Sequence, residues 1–445
     1  MSLSISTKNS LLLIFEKIII LGFSFLNSVL LARLAGPEIF GQYSYIISFS
    51  GLFAPLCIMG LNNIATKYFV KYPQNSHHYL LSALTVRVIG AILSILIGLV
   101  VAFYFSIDKS LFPLLATLLI LQCFTVFYII EYYFLASNKV IFTLKIRLSV
   151  LITIGIAKLI VILYGANLVA LITLHGFGFC LVGLGYLWVY YQAGYHKHQK
   201  RAVNIKSISS LFHKGKWLLL SGVAAILYLK IDQIMLAHFH GVTEVAYYAA
   251  ATKLSEFWYV FPILIANAFN PKLIMLHKEN KDQYNNFITK LLSFMMMSAL
   301  FISLLTYFLS TFIIHFIYGE QYQQSAEILN IHILATIFIF QMAILSKWLI
   351  IGKHYKFSLY SHGLGAISNI ILNLMLIPKF GGIGAAWATL LSYFIASFFS
   401  LTLFKSTRPF MLLMVVAMLK WPAILWYTTK NEYNTINNKK STKEL

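Results

Sequence analysis

The residues best suited to chemistry in this 445-residue chain are a few charges set inside apolar runs. Asp232 lies within the run from Trp217 to Phe239, and Lys253 and Glu256 lie within the next, from Ala246 to Phe269. A charge at the centre of a bilayer costs roughly 2.5–3.5 kcal/mol on insertion scales, so charges kept there face a protein interior or a wet cavity. Deep cations suit an anionic ligand, because arginine grips phosphate through two parallel hydrogen bonds and lysine offers a point charge. Arg33, Lys158 and Lys253 are the candidates for that contact. Asp232 either pairs with a basic neighbour in a fixed salt bridge or takes up a proton or cation, and Glu256 is a second candidate for ion coupling. Asn369 and Asn373, one helical turn apart, are candidates for hydrogen bonds across a bundle or for lining a substrate cavity. Lys17, Arg87 and Glu131 also lie in apolar runs, within snorkelling reach of a headgroup layer.

Such residues need membrane helices to hold them. The chain is 60% hydrophobic and only 11% charged, against about 25% charged in soluble domains. Apolar runs cover 10–34, 42–66, 80–105, 111–135, 144–164, 168–193, 217–239, 246–270, 291–317, 327–351, 357–377 and 382–404. Each meets the ~20 residues that cross a ~30 Å hydrocarbon layer. The expected fold is therefore an all-α polytopic membrane protein with about twelve transmembrane helices in two six-helix bundles, 1–193 and 217–408, joined by a cytoplasmic linker, 194–216. Within 409–445, the run Phe410 to Thr429 is an interfacial helix or a thirteenth span, followed by a polar tail expected to be disordered.

Charge placement orients these spans. Counting Lys145 and Arg147 with the connection before the fifth span, the even-numbered connections and residues 405–408 hold nineteen Lys or Arg; the odd-numbered ones hold Lys109 and Lys379 against four acids. Positive residues stay on the cytoplasmic side, which puts the N-terminus there. The net charge of +21 thus alternates with membrane spans instead of forming the single basic stripe of a nucleic-acid binder.

Motifs for covalent chemistry are absent: there is no HExxH, phosphate-binding glycine loop or nucleophile elbow. Cys57, Cys123 and Cys180 lack CxxC spacing, and no metal or other cofactor is expected. The odd-numbered loops are at most about nine residues long, too short for the catalytic domain of a membrane polymerase or ligase. A multidrug or small-cation exporter and a non-catalytic assembly protein are the other rivals. Small residues from Gly381 to Ala388 suit close helix packing, and Pro55 and Pro262 suit kinks. The chain also matches itself weakly. An offset of 205 sets Asn27 on Asp232, Gly36 on Gly241 and Tyr43 on Tyr248; an offset of 215 sets Lys158 on Asn373. Six spans per half would make the repeats parallel.

The segments Leu31-Ala32-Arg33-Leu34-Ala35-Gly36-Pro37-Glu38-Ile39-Phe40-Gly41-Gln42-Tyr43 and Lys230-Ile231-Asp232-Gln233-Ile234-Met235-Leu236 resemble the bacterial polysaccharide-export flippases of the O-antigen Wzx type. So do Glu244 to Ala251 and Asn369 to Pro378, the likeness covering about residues 5–408. The superfamily it resembles also holds multidrug exporters and lipid II flippases. The resemblance implies a twelve-span bacterial inner-membrane transporter, not an enzyme. It would move undecaprenyl-pyrophosphate-linked oligosaccharide repeat units to the periplasmic leaflet for O-antigen or other surface polysaccharide. It further implies a basic cavity, coupling to a proton or sodium ion, and work beside a polymerase and a chain-length regulator.

Overall fold

The computed structural model describes residues 5–105, 108–194 and 204–423, which are helical with short connections and contain no strand. Among the described residues, ten helical runs are long and apolar enough to cross a membrane. Two of them, Phe15–Lys71 with 57 residues and Lys356–Leu403 with 48, are broken by a non-helical glycine. An unbroken helix of the first length would reach about 85 Å, far beyond a ~30 Å hydrocarbon layer. Gly36 (φ 81°, ψ 173°) divides helix α1 (Ile5–Ile58), and Gly381 (φ 52°, ψ −132°) divides α14 (Tyr355–Phe394). Each of these runs therefore holds two of the spans expected from sequence.

The remaining helices are α2 (Asn62–Lys71), α3 (Ser76–Phe105), α4 (Phe112–Gln122), α5 (Ile129–Ala136), α6 (Val140–Leu163), α7 (Leu168–Gln192) and α8 (Ile205–His240). After them come α9 (Val242–Phe257), α10 (Val260–Glu279), α11 (Lys281–Tyr318), α12 (Gln324–His332), α13 (Thr336–Ile351) and the short α15 (Ser400–Leu403). The break between α9 and α10 follows from Pro262, which has no N–H to offer the carbonyl of Trp258 and so releases one turn. Outside the apolar segments, Asp108 opens a 3₁₀ turn by accepting from the hydroxyl and amide of Ser110, which hold its carboxyl below the usual carboxylate range.

The surface chemistry of α11 identifies the solvent. Phe301, Leu304, Phe308 and Phe312 project outward and are exposed, whereas Ser303, Thr306 and Ser310 on the opposite face are buried. Water would penalise that stripe, but a hydrocarbon layer solvates it. The chain is a multi-pass membrane protein.

By internal contacts the chain forms two compact units. One comprises Met1–Ala250, Ile314–Gln323 and Leu372–Ala385; the other comprises Ala251–Ile313, Gln324–Ile371 and Ala386–Leu445. In the second unit a helix over 408–423 inserts Phe410, Met414 and Ala417 into a core with Phe340, Leu345 and Phe357. The rest of the apolar run ending at Thr429, the polar tail and linker residues 195–203 lie outside the described residues.

In the first unit both glycine breaks are stapled. Pro37 has no N–H and Gly36 leaves the helical conformation, which strips Ala32 and Arg33 of the usual partners for their carbonyls. Tyr322 donates to the Ala32 oxygen (3.0 Å) and Gln321 to the Arg33 oxygen (3.3 Å). At the other break His240 donates to the Ile377 carbonyl (2.7 Å), and the Glu244 carboxylate accepts from the Gly382 amide (2.7 Å). An acid at a new helix N-terminus is favoured by the helix dipole.

Backbone conformation repeats where the sequence matched itself. Gly36 and Gly241 have φ of 81° and 84°, a 205-residue offset. At the 215-residue offset, Asn138 and Lys353 have φ of 57° and 60°, and Ala166 and Gly381 share φ 52°. Three pairs of positive-φ residues at two constant offsets are hard to obtain by chance, since non-glycine residues rarely adopt that region.

Arg87 corrects the snorkelling expectation. It is 1% exposed and donates to the carbonyls of Thr125 and Val126 (both 3.3 Å) and to the side chain of Asn62. The acceptors lie in a 3₁₀ stretch, Cys123–Tyr128, and at the start of α2, so the guanidinium finds its polar contacts inside the protein without reaching a headgroup. Hydrogen bonds to a charged group are worth about 1.5–3 kcal/mol each. Arg87→Ala is expected to lower the yield and thermal stability of detergent-purified protein, whereas Lys17→Ala, at an exposed position, should leave both nearly unchanged.

Candidate functional site

Asp232 is 2% exposed on α8, a helix opened by the Asn204 side chain accepting from the Lys206 amide and closed at Gly241. One carboxylate oxygen accepts from the Tyr248 hydroxyl and the other from the Asn373 amide, both at 2.6 Å. The adjacent Gln233 is buried and accepts from the Ser48 hydroxyl at 2.7 Å. Both of these donors to Asp232, Tyr248 and Asn373, are neutral and lie within the first unit. Such an acid can keep its charge through hydrogen bonds or be discharged by a proton.

A second cluster in the same unit joins α1, α6 and α7. The Lys158 ammonium lies 3.0 Å from the Tyr43 hydroxyl and 2.9 Å from Nδ1 of His175, and Tyr43 and His175 lie 3.1 Å apart. The Tyr43 ring also faces the ammonium. By the repeat offsets this cluster is the counterpart of the first: Tyr43 matches Tyr248 and Lys158 matches Asn373. The tyrosine hydroxyl donates to an acid in one repeat and accepts from a base in the other.

A third cluster is ionic. Arg147 binds Glu16 (3.1 Å) and Glu131, and it donates to the Tyr186 hydroxyl (2.9 Å). Charge placement puts Arg147 with the connection before the fifth span and leaves Glu131 within snorkelling reach; instead Arg147 lies in α6, and both acids turn inward to neutralise it.

Of the other candidates, Arg33 is exposed and donates to the Phe316 carbonyl (3.0 Å) in the last turn of α11, a favourable place for a cation. Lys253 and Glu256 are half-buried on α9 in the second unit. Between them in sequence, the buried Ser255 shares a 2.7 Å hydrogen bond with His332. Asn369 is fully buried in the second unit, while its neighbour Asn373 joins Asp232 in the first. Sequence reasoning missed Tyr43, His175, Tyr248 and His332. The two histidines were ionisable groups in apolar runs, which was signal enough. The tyrosines matched at the repeat offset but were not weighed as ligands to charge.

The sequence profile of a family described as polysaccharide biosynthesis protein matches residues 6–271. The chain belongs to that family. The profile described as lipid II flippase MurJ also matches this family member, over residues 170–429. A capsular polysaccharide biosynthesis protein, CapF of Staphylococcus aureus, is 22% identical over 84% of this chain and 92% of its own length. Among solved structures, the lipid II flippase MurJ in an inward closed conformation aligns with a TM-score of 0.68 at 18% identity, covering 95% of this chain and 93% of that one. An inward-facing multidrug resistance transporter of the MATE family also aligns at 0.68, with 11% identity and 90% and 94% coverage. This family member thus has the all-α fold of those solved transporters.

Proposed function

We propose that the protein flips undecaprenyl-pyrophosphate-linked oligosaccharide repeat units across the bacterial inner membrane for O-antigen, capsule or a related glycan. The observation that carries this reading is the pair of polar clusters inside a lipid-facing bundle, Asp232–Tyr248–Asn373 and Tyr43–Lys158–His175. Each polar group of a sugar head costs several kcal/mol to strip of water, and an interior path with hydrogen-bonding groups avoids that cost. Similarity to a capsular polysaccharide biosynthesis protein over most of both chains supports the cargo class.

In this reading two six-helix bundles, 1–193 and 217–408, alternate access around the polar path while the lipid tail stays in the bilayer. The N-terminus is cytoplasmic. Lys158, Lys253, Asn369 and Asn373 meet the head group, and Asp232 and Glu256 carry a coupling proton or sodium ion. A polymerase and a chain-length regulator act downstream. Rescue of surface glycan in a strain lacking the gene tests the proposal; no rescue at matched membrane level rejects it. The likeness to MATE transporters favours a second reading, cation-coupled export of small molecules. Drug resistance without any change in glycan would select it.

Arg33 is tested in the same strain. Arg33→Ala is expected to reduce export with the protein level unchanged if its guanidinium meets the anion. Its helix-end contact is worth only about 0.3–1 kcal/mol, too little to deplete the protein. Normal glycan at matched expression would leave Arg33 with the Phe316 contact alone.

A further inference from the structure

His175 is the group in the bundle whose position calls for a further role. We propose that the Tyr43–Lys158–His175 triangle is a proton-binding site, in which one proton taken up at Nδ1 of His175 opens the contact between α1, α6 and α7. This deepens the transport reading by naming a second place where a proton acts, distinct from Asp232.

The chemistry follows from the geometry. A lysine ammonium has donors and no acceptor, so at 2.9 Å it donates to Nδ1 of His175 and leaves the ring proton on Nε2. It also donates to the Tyr43 hydroxyl at 3.0 Å. Adding a proton to Nδ1 converts that acceptor into a donor and sets two positive groups against each other at hydrogen-bond distance. No new covalent bond is needed beyond N–H, and the proton comes from water. The contact must then break.

Tyr43 comes from α1 and Lys158 from α6, while Phe179 on α7 presents an edge-on ring 5.2 Å away. Helix α4 packs on α7 through Leu121 at Gly176 and contains no titratable residue. Glu38 on α1 is exposed and lies five positions from Tyr43, well round the helix. Glu16 and Glu131 are engaged by Arg147, which is about 16 Å along α6 from Lys158. His175 lies about two turns, roughly 10 Å, inside the start of α7, which makes the 164–167 connection the end from which a proton would enter.

The repeat supplies an independent argument. At the matching place in the second repeat, the tyrosine meets an acid that a proton would discharge. In the first it meets bases, one of which a proton would charge. The two sites would answer the same proton with opposite changes of charge.

The test is hydrogen–deuterium exchange of the full-length protein in lipid nanodiscs from pH 8 to 5, corrected for intrinsic exchange and read on peptides covering 40–50, 152–163 and 168–180. Protection in the wild type should fall about fivefold or more as the pH drops, as expected for a local opening. His175→Gln should hold its pH 8 protection throughout, and Asp232→Asn should titrate like the wild type. Should His175→Gln fold poorly, Lys158→Gln serves instead, because without the ammonium the pH step should vanish. A flat wild-type profile, or a step retained in His175→Gln or Lys158→Gln, overturns the proposal. No cargo is needed, so failure here is separable from failure of glycan rescue.

Discussion

Asp232→Asn should cut surface-glycan export about tenfold to a hundredfold while leaving a folded protein in the membrane. The side chain keeps its shape, and the Tyr248 hydroxyl can still donate to the remaining carbonyl oxygen. The Asn373 amide, however, now faces either an N–H₂ group or an acceptor already in use. One charge-assisted hydrogen bond is worth about 1.5–3 kcal/mol, and about 1.4 kcal/mol is a factor of ten in rate. If the acid exchanges its neutral donors for a cation or proton during transport, that loss falls on the cycle more than on folding. Glycan measured at matched membrane level, together with a thermal unfolding midpoint close to wild type, checks the prediction. Wild-type export would reduce Asp232 to a structural pin. Tyr248→Phe should show a smaller defect, because Asn373 still holds one oxygen.

Gly41→Val is expected to abolish the folded protein. A Cβ at Gly41 would lie 1.9 Å from the Val242 carbonyl oxygen and 2.7 Å from its carbon, both backbone atoms that cannot swing away. The helix after the Gly36 break would have to withdraw from the start of α9. Overpacking costs about 1–3 kcal/mol where side chains can yield, and more where only backbone can move. The readout is loss of the monodisperse peak in detergent and of surface glycan together. Gly22→Ala is the matched control: no neighbouring atom lies within 4 Å of its added Cβ, and the change should add about 0.5–1 kcal/mol of helix stability.

Much of this architecture was legible in the chain, because a hydrocarbon solvent makes span length and charge placement strong signals. Asp232 and Asn373 were picked out singly by type and depth, but their contact with each other was not visible: it joins residues 141 positions apart. Arg87 and Glu131 were misjudged for one reason. Snorkelling considers only distance to the headgroups, while Asn62, the Thr125 carbonyl and Arg147 offered closer partners inside. His175 and His332 carry the same signal as a lysine or an acid, because an ionisable imidazole is equally conspicuous in an apolar helix. Arg33, a candidate ligand to anions, also holds the carbonyl at the end of α11, a contact between residues 283 positions apart that no local signal reveals.

Gly41 and Ala246 occupy the same place in the two repeats, and a Cβ at Gly41 would sit 3.5 Å from that of Ala246. Matched positions facing each other are what a homodimer shows at its rotation axis. In a homodimer every substitution is made twice, so an acid added to one protomer appears in the other as well. Fusion of a duplicated ancestor into one polypeptide removes that constraint. Lysine and histidine then occupy one copy and aspartate the other, giving the molecule an electrical polarity across that axis, which two-fold symmetry forbids to identical subunits.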